Sequence, residues 1–197
     1  MTTENRTTHT VPTEDRGWQL LLVPVAIGSL VAFTLGLYGG LHEGTGVAIN
    51  IAGFADHPAP TGAVKVTLAT GAGVFALVQI ASAMVMYGKI PNVSAPPWSG
   101  SLHRWSGRIA FLLAVPVAVH CLYAAGFKAY DTRILLHSLL GCLFFGAFAA
   151  KMLGLRREGL PAWALPVLGG VLFTALIGLW WTTAVRFFGT FGSPLPF

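Results

Sequence analysis

Six histidines are the residues best suited to chemistry in this 197-residue chain, and two of them, His120 and His137, lie inside long apolar stretches. An ionisable group is costly within an apolar span, which makes each a functional candidate. His120 falls seven residues before Phe127, and His137 four residues after Arg133. At a rise of about 1.5 Å per residue, helices through these stretches put the two imidazoles roughly 10 Å and 6 Å below the same end. The connection around Lys128 to Arg133 is short, so the two helices are expected to be antiparallel neighbours. Two imidazoles facing each other across a helical bundle are the usual means of holding a b-type haem, the iron taking one nitrogen from each side. His120 and His137 are therefore candidate axial ligands. Ala118, Ala124, Ala125, Ser138 and Gly141 are small enough to leave room for a flat macrocycle, and Arg133 or Lys128 at the rim can pair with propionates. No C-x-x-C-H occurs, which excludes covalent c-type attachment. A blander reading stays open beside this one: a buried neutral histidine can simply donate to a main-chain carbonyl or to a hydroxyl such as that of Tyr123 or Ser138. Another metal or a proton relay would use the same atoms.

His103 opens a second candidate cluster in Leu102-His103-Arg104-Trp105-Ser106-Gly107-Arg108. It stands 17 residues before His120. At about 100° per residue the two point about 100° apart around a helix, so they do not line one seam for stacked haems. His103 can ligate a second haem, with Met152 as partner, or contact a quinone headgroup or phosphate beside Arg104 and Arg108; an ordinary interfacial histidine among basic anchors is the alternative. His42 and His57, with Glu43 and Asp56 nearby in sequence, are candidates for a surface metal site, although loop spacing carries no diagnostic value. His9 belongs to a polar tail.

The elements that must position these side chains follow from where charge is missing. Only 12 basic and 7 acidic residues occur, and none falls in residues 17–42, 66–88, 109–127, 134–150 or 159–185. A helix needs about 20 apolar residues to cross a hydrocarbon layer. The reading is an all-α polytopic membrane bundle of five spans, about 18–40, 66–88, 109–127, 134–150 and 162–185, with residues 1–16 a disordered tail and 191–197 a short tail. Soluble enzyme folds, disulfide scaffolds and nucleic-acid binders are excluded despite the net charge of +5, because the basic excess belongs to loops. Continuous apolar runs also differ from the alternating ten-residue segments of an outer-membrane barrel. Cys121 and Cys142 lie inside apolar runs and say nothing about redox compartment.

Eight Lys and Arg fall on the face shared by the N-terminal tail and the loops at 88–108 and 151–158, against four on the other face. The positive-inside rule then places the N-terminus in the cytoplasm of a multi-pass cell-membrane protein and puts His120 and His137 toward the outer leaflet. Trp18, Tyr38, Tyr87, Trp105, Trp163, Trp180 and Trp181 fall near span ends, as headgroup anchors do. Small residues at helical spacing, Gly36 with Gly40 and Gly170 with Thr174 and Gly178, are expected to allow close helix contact, within the bundle or in an oligomer. Pro24, Pro116 and Pro166 are each expected to interrupt a span's hydrogen-bond ladder.

Three segments carry a resemblance: Leu102 to Arg108, Pro116-Val117-Ala118-Val119-His120-Cys121, and His137-Ser138-Leu139-Leu140-Gly141-Cys142. With Trp163-Ala164-Leu165-Pro166-Val167 and Gly169-Gly170, they look like an uncharacterised family of small bacterial multi-pass membrane proteins over roughly residues 57–190. At greater distance the pattern is similar to membrane b-type cytochromes of the ferric reductase kind. That resemblance implies electron transfer through haem-loaded helices. Those proteins pair histidines on one helix about four turns apart, and this chain does not. The expectation is one haem b between His120 and His137, with electrons passing from a donor or quinone near His103, Arg104 and Arg108 to an acceptor on the far side. Without a flavin or nucleotide motif the chain would be one subunit of such a system, working with a redox partner protein. The rival expectation is a non-catalytic accessory or assembly protein with structural histidines. Transport is disfavoured, since the only other interior polar groups are mild ones such as Thr34, Gln79, Ser82 and Thr174.

Overall fold

The computed structural model of the chain describes residues 13–49 and 53–195, with side chains from residue 17 onward. Five helical segments are long and apolar enough to cross a membrane, and no strand occurs among the described residues. Helix α1 runs Thr13–Leu41 and α2 Pro60–Met86. Helix α3, Ser99–His120, continues as a π-helical turn over Cys121–Ala125. Helix α4 spans Thr132–Gly154. Helix α5, Ala164–Trp180, passes through a second π-helical turn, Trp181–Val185, into the short α6, Arg186–Phe191. The apolar segments contain 23 to 28 residues. At about 1.5 Å per residue each exceeds the ~30 Å hydrocarbon core.

Local chemistry sets the ends. Pro60 opens α2, where its missing N–H costs nothing. Asp131 caps α4, its carboxylate accepting from the Ile134 N–H at 2.8 Å. The segment before α3 carries Pro91, Pro96 and Pro97 and forms no regular element. Pro166 does not interrupt a ladder as the sequence suggests, because it sits in the first turn of α5, where an N–H has no intrahelical partner. Pro24 lies inside α1, and Pro116 inside α3, five residues before the first π-helical turn. Helix α1 begins at Thr13, within the stretch expected to be a tail; residues 1–12 of that stretch, His9 among them, lie outside the described residues.

Packing departs from the expected hairpin. Helix α3 lies along α2, whereas α4 lies between α1 and α5, and α5 also meets α2. Helices α3 and α4 do not pack along each other; they meet through side chains, Phe111 stacking on Phe148 at 4.0 Å between ring centroids and edge-on to Phe145 at 5.9 Å. A short connection allows adjacency but does not require it, and two tighter contacts decide the arrangement. Gly28 of α1 and Gly146 of α4 cross so closely that a Cβ built on either would come 2.5 Å from the other's carbonyl oxygen. On the α2–α3 side, the Gln79 amide donates to the His103 carbonyl and to Ser106 Oγ, the latter at 2.8 Å. The small-residue faces named from sequence make contact at half of those glycines: a Cβ built on Gly36 would meet Cys142 Sγ of α4 at 3.6 Å and one on Gly178 would crowd Leu140, whereas nothing lies within 4 Å of a Cβ built on Gly40 or Gly170.

The centre of the bundle is a cluster of Ala72, Ala76, Phe144, Ala175 and Leu176. Outward faces are apolar as well, with Leu22, Leu30 and Phe33 of α1 and Leu112 of α3 each more than 60% exposed. An apolar exterior over helices of this length fits a lipid bilayer as solvent.

Candidate functional site

Two ends of the bundle carry polar side chains. The hairpin end comprises the segment after α1, residues 126–131 and the end of α5; the opposite end comprises the α2–α3 and α4–α5 connections.

At the hairpin end, the Asp131 cap starts α4 so that His137 lies in its second turn. His137 Nδ1 is 2.9 Å from Thr182 Oγ1 and 3.0 Å from Thr183 Oγ1, both in the second π-helical turn. The Thr182 hydroxyl spends its proton on the carbonyls of Gly178 and Leu179, at 2.9 and 3.0 Å, so toward His137 it accepts. Nδ1 is then the protonated nitrogen, and the lone pair sits on Nε2, which has no hydrogen-bond partner among the described residues. Arg133 Nη1 donates to the Thr182 carbonyl at 2.8 Å, and its other nitrogen lies 4.0 Å from Asp131. The guanidinium thus ties α4 to the π-helical turn of α5.

His120 lies at the end of α3 and turns toward the segment after α1, its Nε2 being 2.8 Å from the Val47 carbonyl. A carbonyl only accepts, so Nε2 donates and Nδ1 carries the lone pair; Nδ1 is buried and has no partner. The backbone around it is pinned by three contacts: Phe127 N–H donates to the Gly39 carbonyl at 2.6 Å, Gly46 N–H to the Ala124 carbonyl at 3.2 Å, and Thr45 N–H to the Tyr123 carbonyl at 3.3 Å. Lys65, in the second turn of α2, stands at the same end of the bundle. The two imidazoles therefore share one end of the bundle, on helices that meet through side chains such as Phe111 and Phe148 rather than along their backbones.

His42 stacks between Tyr38 and Tyr123, at 5.0 and 5.4 Å between ring centroids, with its Nε2 buried and unpartnered. His57 is elsewhere, accepting from the Ala59 N–H at 3.0 Å and stacking on Phe187. No group of three or more His, Cys, Asp or Glu placed to hold a metal occurs among the described residues. The loop metal site considered for His42 and His57 is not assembled.

His103 is at the opposite end, its Nδ1 2.9 Å from Ser82 Oγ of α2. Arg104 and Arg108 turn away from it: Arg104 donates to Ser101 Oγ at 3.0 Å, and Arg108 lies over the Trp105 ring at 5.0 Å. Sequence reasoning grouped these three by proximity along the chain, and the helix separates them. It also passed over Thr182 and Thr183. Two adjacent threonines in an otherwise apolar span were the available signal, since a hydroxyl there needs a partner.

Residues 21–195 match the model of a family of unknown function, DUF6529, and the chain belongs to that family. No curated protein and no solved structure matches it.

Proposed function

We propose that this DUF6529 chain is an integral membrane electron-transfer subunit holding one b-type haem at the hairpin end, with His120 and His137 as its axial ligands. The observation that carries the reading is the tether on His137. Imidazoles that bind metal almost always donate their other ring N–H to a fixed acceptor, which sets the tautomer and the ring orientation. Thr182 and Thr183 provide that acceptor for Nδ1 and leave Nε2 for iron. His120 supports the reading in the mirrored sense, with Nε2 tied to Val47 and Nδ1 buried without a partner. Arg133 and Lys128 are cations at this end that can meet propionates.

A bound haem supplies a one-electron redox centre. The chain's own residues do the rest. Thr182 and Thr183 hold the His137 ring against rotation, Arg133 fixes the turn that carries them, and the aromatic cluster of Phe111, Phe144 and Phe145 keeps water from the bundle interior. By the positive-inside count this site faces the extracytoplasmic side of the membrane, so electrons would leave to an acceptor there.

A second reading has its own support: His103, His120 and His137 each bond a group on another element, so they can serve as ties in a non-catalytic accessory protein. The variants His120→Gln and His137→Gln, which keep a hydrogen-bonding side chain, separate the two. Under the haem reading each loses the pigment at unchanged folded yield. If both variants retain it, the assignment of ligands fails.

A further inference from the structure

Helix α3 packs along α2, and the side it leaves open changes chemistry in an ordered way along its length. Ser101, Arg104, Trp105, Arg108, Leu112 and Val119 are all exposed. At about 100° per residue, these six fall within about 100° of arc on one side of the helix. The stripe they form is cationic and aromatic near the start of α3 and apolar beyond it, where Leu112 and Val119 are 67% and 60% exposed.

Both guanidiniums of the stripe turn toward the start of α3, as long cationic side chains do when they reach from an apolar layer to its polar edge. Arg104 Nη2 donates to Ser101 Oγ at 3.0 Å, and a Cβ built on Gly100 would lie 3.4 Å from its Nη1. Arg108 lies over the Trp105 ring, 5.0 Å from its centroid. An arginine stacked on an aromatic ring keeps its N–H edge for bidentate bonding to a phosphate. No carboxylate lies within ion-pair distance of either arginine among the described residues, where the one ion pair joins Arg133 and Asp131 at the other end. Like charges one helical turn apart repel, and an anion set between them relieves the repulsion. Exposed Trp98 and Trp105 put this part of α3 at the level of lipid headgroups.

We propose that this stripe of α3 binds one anionic phospholipid, its phosphate bridging Arg104 and Arg108 and an acyl chain lying along Leu112 and Val119. Charge complementarity selects the anionic headgroup, because a choline headgroup would bring a cation toward the two arginines. The apolar continuation of the same stripe selects a lipid over a free phosphate, which would use the arginines alone. The site lies at the opposite end of the bundle from the proposed haem and does not depend on it.

Purified full-length protein in detergent is mixed with phosphatidylglycerol, with phosphatidylcholine of the same acyl chains, or with inorganic phosphate. Retention is read by native mass spectrometry and stabilisation by the shift in unfolding temperature. Wild type retains phosphatidylglycerol in preference to phosphatidylcholine, and inorganic phosphate does not stabilise it. Arg104→Gln and Arg108→Gln each weaken retention of phosphatidylglycerol about fivefold, the effect of one basic residue at an anionic lipid surface, and together about 25-fold. Arg157→Gln, which removes an exposed arginine from the α4–α5 connection at the same end, leaves retention unchanged. Should the double variant fail to fold, the two single variants carry the comparison. The proposal is overturned if wild type retains the two lipids equally, if inorganic phosphate stabilises it as well as phosphatidylglycerol does, or if the Arg104 and Arg108 variants retain phosphatidylglycerol as well as Arg157→Gln does.

Discussion

His137 of α4 and Thr182 of α5 share a hydrogen bond of 2.9 Å in the part of the second helix where the ladder widens into a π-helical turn. Single-turn π segments inside α-helices are frequent at functional sites. Here the turn presents a hydroxyl to the imidazole and a carbonyl to Arg133 from the same residue. Thr182→Val keeps the shape and removes the hydroxyl. It should lower stability by about 1 kcal/mol, the net worth of one buried hydrogen bond. Thermal unfolding in detergent measures this. Where haem is bound, the same variant should also weaken its retention, by about 10-fold to 100-fold, the usual effect of losing a group that orients a ligand.

The crossing of Gly28 and Gly146 leaves no space for a side chain. Gly146→Val should cost about 1–3 kcal/mol through overpacking, read as a fall in unfolding temperature and in the monodisperse fraction. Gly40→Ala is the contrasting case, since nothing lies within 4 Å of the added methyl. It should be neutral, or stabilising by about 0.5–1 kcal/mol, because it removes a flexible residue from a helix.

The charge asymmetry of the loops predicts a direction for the chain in the membrane, with the N-terminus in the cytoplasm. With Cys121 and Cys142 replaced by Ala, Ala129→Cys should react with a membrane-impermeant maleimide in intact cells. Ser94→Cys should react only after lysis. The reverse pattern would invert the orientation and place the hairpin end in the cytoplasm.

The number and approximate extent of the helices could be read from the sequence because excluding charge from hydrocarbon is a one-dimensional constraint. Which helix touches which could not. The short link between α3 and α4 suggested a packed pair. The contact of Gly28 with Gly146 and the bonds of Gln79 to the His103 carbonyl and the Ser106 hydroxyl of α3 instead drew the two helices to different neighbours. The same limit applied to the site. His120 and His137 could be found because an imidazole in an apolar run stands out. Thr182 and Thr183 were hidden, since their importance lies in the face they present, and rotation about a helix axis leaves no mark in an apolar sequence. Arg133 was expected at the rim for propionates, yet its guanidinium also reaches inward to the Thr182 carbonyl, in the π-helical turn that begins at Trp181.

The central claim is that His120 and His137 hold a haem, and its most direct test is the visible absorption spectrum of the wild-type protein purified in detergent from haem-replete cells, recorded oxidised and reduced. The account predicts a Soret band with the sharpened α band of a low-spin, bis-histidine haem on reduction, at one haem per chain by pyridine haemochromogen. A colourless preparation that is folded and monodisperse would contradict it.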